Sequence, residues 1–290
     1  MKDGGQQIRR VVAISDLHID LKENREWLER LCDEDHRDEC LLLAGDLASG
    51  IKQVEAGLSR LVSSYGQVFF VPGNHDLWVK PGEITDSLVR FHELRALCQS
   101  LSISDCPSEL YEPSGNPRLV ILPIHSWYAL PGEAESLFLP KPGEDPSLSM
   151  WADRIRIRWP VEIANPAEYF LALNETMDLG NTSPVVISFS HFLPRRELMF
   201  AEIQRKGAHC SSAGDRAPRF NFSRVAGSKG IDSLIRRFGS TVHIHGHQHR
   251  NRDRWIEGVH YLSYCLGYPQ ERLRAGIRTE TVKPLEVWTG

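Results

Sequence analysis

The chain has no CxxC pair. Its six cysteines, Cys32, Cys40, Cys98, Cys106, Cys210 and Cys265, are scattered over 290 residues. That spacing argues against a thiolate metal site or a disulfide scaffold and fits reduced thiols in a cytoplasmic protein. Long apolar runs are absent too. The longest, such as Leu41–Ala44 and Val68–Val71, fall far short of the roughly 20 residues that a spanning helix needs. Met1–Arg10 is polar and lacks the apolar core of a secretory signal. There is no excess of positive charge: 34 Lys and Arg against 38 Asp and Glu leave a formal net charge of −4 and a pI near 6.3. Nothing in that balance draws nucleic acid or an anionic membrane, although a local basic patch is compatible with it. No repeat of solenoid length occurs. The expectation is a soluble cytoplasmic protein with neither a membrane nor a nucleic-acid partner; oligomeric state is left open.

What recurs is a short apolar run ending in a polar or metal-capable residue. Arg10–Ser15 leads into Asp16 and His18, Cys40–Gly45 into Asp46, and Gln67–Gly73 into Asn74 and His75. Arg118–Pro123 leads to His125, Pro184–Ser190 to His191, and Ser240–Gly246 to His247 and His249. Such runs read as buried strands. Between the first three lie helical faces: Trp27, Leu28 and Leu31; then Ile51, Val54, Leu58, Leu61 and Val62. After the third comes a face of Ile84, Leu88, Phe91, Leu94, Leu97 and Leu101. Alternating strands and helices predict an α/β fold with a mostly parallel sheet, which places ligands at the carboxyl ends of its strands. Six strand ends therefore point at one location.

Residues 126–182, rich in Trp, Pro and charge, read as a capping insertion within a single domain spanning 1–290. A helix should close it, capped by Asn165, begun by Pro166 and ended by Gly180. Gln204–Arg219 reads as a loop. Trp255–Cys265 around Gly258, and Val282–Trp288, predict antiparallel strands at the tail.

Carboxylate, imidazole and amide oxygen suit divalent metals such as Mn, Fe, Zn or Ni. Two carboxylates cannot neutralise two dications, so such a site would keep positive charge and attract an anion such as phosphate. A pair of metals can clamp both the attacking and the leaving oxygen of an in-line displacement. These residue types suggest phosphoryl chemistry.

Asp16-Leu17-His18, Gly45-Asp46, Gly73-Asn74-His75-Asp76, Ser190-His191 and Gly246-His247-Gln248-His249 stand in the order of five blocks. In this the chain resembles the calcineurin-like metallophosphoesterases. Phe189–Glu197, Val225–His249 and Gly267–Arg272 resemble a functionally obscure branch of that family. The resemblance implies two facing mixed sheets flanked by helices and two divalent metal ions as cofactors. One ion would be held by Asp16, His18, Asp46 and His249, the other by Asp46, Asn74, His191 and His247. His75 would protonate the leaving oxygen or stabilise charge on it, with Asp76 orienting its ring, while a metal-bridging hydroxide attacks phosphorus. Two departures narrow the family. Ser49 stands where purple acid phosphatases carry a metal-binding Tyr, and Gly45–Gly50 is not the GDxxDRG of the protein phosphatases.

Blander readings apply elsewhere. His243 and His245 share a strand face and read as structural, with His245 open as a partner to a ligand; His36, His92, His209 and His260 read as structural or solvent-facing. His125, Arg195 and Arg250 are candidate substrate contacts, against the alternatives of a core histidine and solvated charge. Trp127, Tyr128, Trp151 and Trp159 read as the core of the insertion or as an aromatic wall that selects the leaving group. The functional expectation is hydrolysis of a small phosphodiester or phosphomonoester, with a slight lean to diesters because an alkoxide gains most from a proton donor. The alternative is a non-catalytic scaffold for protein partners.

Overall fold

The computed structural model describes residues 8–80, 82, 86–111, 117–174, 185–200 and 219–290. Along them run β1 (Arg10–Ile14), α1 (Lys22–Cys32), β2 (His36–Ala44), α2 (Ile51–Ser64), β3 (Tyr65–Val71), α3 (Ser87–Ser100), β4 (Ser108–Tyr111) and β5 (Pro117–Pro123). There follow α4 (Asp153–Arg156), α5 (Pro166–Ala172), β6 (Val185–Phe189), α6 (Lys229–Arg237) and β7 (Val242–Ile244). The chain ends with β8 (Arg252–Ile256), β9 (Val259–Ser263), α7 (Pro269–Ala275) and β10 (Leu285–Thr289). One sheet has the order β10-β1-β2-β3 and the other β4-β5-β6-β7-β9-β8. Pairing is parallel from β1 through β3 and from β5 through β7 to β9; β10, β4 and β8 add antiparallel edges.

Strand alternation explains why two sheets form. Val11, Ala13, Cys40, Leu42, Ala44, Leu119 and Ile121 belong to one apolar cluster, together with Phe189, Ile244 and Leu262. Their neighbours Val12, Ile14, Leu41, Leu43, Val120 and Leu122 belong to another, with Leu28, Leu58, Leu61 and Phe91 of the helices. A period of two thus gives each strand one face for the opposite sheet and one for a helix layer. That is why the runs are apolar at nearly every position.

The expected strands and helices are present, and the tail is antiparallel as read. Asn165 caps α5 by accepting from the Glu168 N–H at 3.1 Å, and Pro166 takes its first turn, but the helix ends at Ala172 and not at Gly180; Gly180, Ile84 and residues 204–218 lie outside the described residues. The short edge strand β4 went unread because Ser-Glu-Leu-Tyr has no apolar run: only Leu110 is buried. The five described cysteines are unpaired. Among the described residues no helix is long and apolar enough to cross a membrane.

Arg272, buried on α7, ties the tail to the strand ends. It donates to the carbonyls of Leu266 (2.9 Å) and Gly267 (2.8 Å) and to Asn24 Oδ1 (2.7 Å). Asn24 Nδ2 in turn donates to the carbonyls of Leu17 and Gly267. Arg272→Met takes the donor from the Leu266 carbonyl and Asn24 Oδ1, while Gly267 keeps its bond from Asn24, and is expected to cost on the order of 3 kcal/mol. Urea unfolding of the variant beside the parent checks this value.

Candidate functional site

The candidate donors stand where chains leave parallel strands, and the backbone there bends sharply. Asp16 (φ 53°), His18 (43°), Asp46 (56°), His247 (73°) and His249 (53°) all adopt left-handed conformations. Each costs roughly 1–2 kcal/mol for a residue with a Cβ, so the surroundings must hold it. Asp16 N–H donates to the Gly45 carbonyl (2.9 Å), His18 N–H to that of Asp46 (3.0 Å), and Gly267 N–H to that of Asp16 (2.9 Å). Gly73 gives the clearance: a Cβ there would lie 2.2 Å from Asp46 Oδ1 and 2.7 Å from the His191 ring.

The side chains form two groups that share Asp46. In the first, donor atoms of Asp16, His18, Asp46 and His249 lie within 4.8 Å of one another. In the second, His191 Nε2 lies 3.2 Å from Asn74 Oδ1, 3.2 Å from His247 Nδ1 and 3.5 Å from Asp46 Oδ2. Partners on the far side of each ring fix the protons. His191 Nδ1–H donates to the Ala44 carbonyl (2.9 Å) and His247 Nε2–H to that of Val225 (2.9 Å). The neutral rings therefore turn bare lone pairs toward each other, toward the Asn74 oxygen and toward a carboxylate. Four acceptors with no hydrogen between them repel unless a cation sits among them, and oxygen with imidazole is a borderline-metal donor set.

The first group shows the same need. Burial opposes charge on His249, yet Asp16 and then Glu271 outweigh it and push its pKa up to about 10. The ring lies 3.3 Å from Asp16 Oδ1 and 2.9 Å from His18 Nε2. A proton stands in where a cation could. Asp46 is held well above the usual carboxylate range by burial, then by Asp76 and Asp16. Burial holds His75 down to about 3, helped by His249 and His191.

A profile of the family "Calcineurin-like phosphoesterase" matches residues 9–251. The chain belongs to that family. This phosphoesterase is 22% identical over 283 residues to the "[Acyl-carrier-protein] phosphodiesterase PptH" of Mycobacterium tuberculosis (strain ATCC 25618 / H37Rv), an alignment covering 89% of this chain and 78% of the relative. The crystal structure of Phosphopantetheinyl Hydrolase (PptH) from Mycobacterium tuberculosis superposes with a TM-score of 0.72, at 22% identity, covering 98% of this chain and 97% of the other. That likeness shows the fold of two mixed sheets flanked by helices. TT1561 of Thermus thermophilus matches at a TM-score of 0.46 with 15% identity, covering 89% of each chain.

The phosphoesterase brings together Asp16, His18, Asp46, Asn74, His75, His191, His247 and His249. The remaining candidates sit in other surroundings. Asp76, expected to orient the His75 ring, instead accepts backbone N–H bonds from Gly73, Asp46, Leu47 and Ala48 at 2.8–3.1 Å. It stitches the second and third strand ends together. Arg195, read as a substrate contact, is bound to Glu197, Asp232 and Glu257. His125 is buried against Phe91 and lies 3.8 Å from Asp105, away from the donors. Arg250 stays exposed beside His249. His243 is held by Ser188 and Ser190, and His245 Nδ1 lies 3.4 Å from the Gly246 carbonyl. Trp127 is core, packed on Tyr128, Trp159, Phe170 and Phe192.

Four residues were missed. His249 Nδ1–H donates to Glu271 (2.7 Å), and the Tyr268 ring packs on His18 and His249 with its hydroxyl 3.4 Å from His75 Nε2. Both sit in the Gly267–Arg272 stretch, already notable for its resemblance. Trp78 stacks under His75 at 3.7 Å. Asp153, 2% exposed, accepts from Trp78 Nε1 (2.6 Å), Asn74 Nδ2 (2.9 Å), Trp151 Nε1 (3.0 Å) and the Tyr128 hydroxyl (3.2 Å). By taking the Asn74 amide hydrogens it turns Oδ1 toward His191, and burial lifts its own pKa to about 6 despite those bonds. Asp153→Ala frees the amide, so Mn²⁺ affinity at the Asn74–His191–His247 group should fall by about 10–100-fold. Calorimetric titration should show the Asp16–His18–His249 group far less affected.

Proposed function

We propose that this phosphoesterase hydrolyses a phosphodiester, with two divalent cations held by the two donor groups. Asp16, His18, Asp46 and His249 would take one; Asp46, Asn74, His191 and His247 would take the other. The observation that carries the reading is the shared carboxylate. Asp46 Oδ2 stands 3.5 Å from His191 Nε2, 4.0 Å from His18 Nε2 and 3.9 Å from His75 Nε2, at the meeting point of both groups and the rim. Cations of the Mn, Fe, Zn or Ni type, when bound, supply Lewis acidity toward phosphoryl oxygens and lower the pKa of water.

The protein's own groups do the rest. His75 and Tyr268 stand side by side above His18, where each can give a hydrogen bond to the oxygen of a departing alcohol. Trp78 fixes the His75 plane from below, and Asp153 fixes Trp78. Asp76 holds the loops that carry Asp46 and Asn74. Residues 126–182 act as a cap within a single domain: Tyr128 and Trp151 of the cap, with Phe222 from outside it, wall the His247 ring. A diester is favoured over a monoester because two groups are placed for a leaving alcohol and because the Mycobacterium relative bears the name of a phosphodiesterase. The place of action is the cytoplasm, in keeping with the scattered free thiols.

The test is turnover of bis(p-nitrophenyl) phosphate and p-nitrophenyl phosphate side by side, with Mn²⁺, Fe²⁺, Ni²⁺ or Zn²⁺ added. Diester cleavage should be faster, Asp46→Asn should abolish both, and His75→Gln should lower the diester rate by about 10²-fold or more. Faster monoester cleavage would overturn the preference. Silence on both esters in protein with its full cation complement would favour the scaffold reading.

A further inference from the structure

A groove of about 740 Å³ adjoins the donor cluster, with Met199, Phe200, Phe220 and Phe222 on its walls and Arg250 and Arg252 along one side. It is continuous with the site: the Phe222 ring lies 5.3 Å from that of His247, and Phe220 stacks on Trp151, which meets His247 edge-on. Phe200 is 48% exposed at its lip. Gln248, between the two histidines, also lines it.

The charge along the groove is one-sided. Arg252 and Arg254 alternate along β8 with Asp253 and Trp255, so they share one face, and Arg250 continues the series toward His249. Their bonds go to backbone oxygens: Arg252 to the carbonyls of Leu198 and Asn251, Arg254 to those of Glu197 and Phe200. Among the described residues none of the three forms an ion pair; Glu197, which feels Arg254, spends its carboxylate on Arg195 at 2.8 Å. The crowding registers on Arg252, whose pKa is lowered first by burial and then by Arg250 and Arg254. The chain as a whole carries −4, so this stripe runs against its general balance. Edge strands are often guarded by charge, but guarding does not require three like charges on one face beside an open groove.

We propose that the Arg250–Arg252–Arg254 stripe, with Phe200, docks an acidic protein surface that bears the scissile phosphodiester. This rests on the phosphodiesterase reading and names its substrate class: an ester carried on an acidic protein rather than a free small molecule. Opposite charge on the partner would speed encounter against the repulsion of the rest of the chain, and the apolar lip would hold the docked surface.

The experiment compares an acidic acyl carrier protein bearing a phosphopantetheinyl group with bis(p-nitrophenyl) phosphate, using the Mn²⁺-loaded full chain. Arg252→Glu/Arg254→Glu should lower kcat/KM on the carrier at least 10-fold, mainly through KM, and leave the small diester within about twofold. Arg252→Lys/Arg254→Lys, which keeps the charge, should stay near the parent on both. Raising NaCl from about 50 to 300 mM should depress turnover of the carrier alone. Equal loss on both substrates, no loss on the carrier, or a parent enzyme that cleaves the small diester but not the carrier would each overturn the proposal. A parent enzyme silent on both overturns the phosphodiesterase reading as well, which separates the two failures.

Discussion

Unshared electron pairs facing one another across about 3 Å set the terms for this site. His191 and His247 each commit their one ring proton to a main-chain carbonyl behind them, so what they present in front can only accept. Asn74 presents an oxygen and Asp46 a carboxylate to the same space. Left alone, such an arrangement pushes itself apart, and the fold spends structure on keeping it together. Five left-handed residues are pinned at strand ends, a buried carboxylate at Asp76 gathers four backbone N–H groups, and Gly73 leaves room for Asp46 beside His191. A site that opposes its own formation in this way is pre-organised for positive charge rather than shaped by it.

The same logic reaches outward through second partners. Asp153 belongs to the segment between β5 and β6, yet it decides which way the Asn74 amide turns and holds the indole beneath His75. Glu271 and Tyr268 belong to the tail, yet they set the His249 ring and close over His18. Arg272 then anchors that tail to α1 and the first strand end. Parts of the chain far apart in sequence are thus mechanically tied to the donor cluster, and a change in any of them is felt there.

Much of this is legible in the amino-acid sequence. The apolar runs located the main strands because buried strands with two covered faces leave little room for polar residues. The polar residues at the ends of five of the six runs located the donors, since parallel strands deliver their carboxyl ends to one side. What escaped had a common cause. β4 is an exposed edge strand with a single buried residue, so it carries no run. Asp153 stands in Trp-Ala-Asp-Arg, where nothing local separates a buried hub from one more charge in a polar segment. Arg195 was drawn toward the site by nearness in sequence and His125 by its place after an apolar run, yet Asp232 and Glu257 hold the one and Asp105 and Phe91 surround the other.

The sequence by itself therefore determined the main strands and helices, their mostly parallel pairing and the identities of the candidate donors, because these follow from periodicity and from chemistry at strand ends; the two facing sheets were implied only by the family resemblance. Only the tertiary structure decided the protons and the orientations. Which ring nitrogen is bare depends on a carbonyl some 20 to 150 residues away, and which atom of Asn74 faces inward depends on a carboxylate 79 residues downstream. The one-sided charge beside the groove is likewise a property of packing. Arginines are read in sequence as charge, but whether a carboxylate answers them is settled by which elements fold against the strand that carries them.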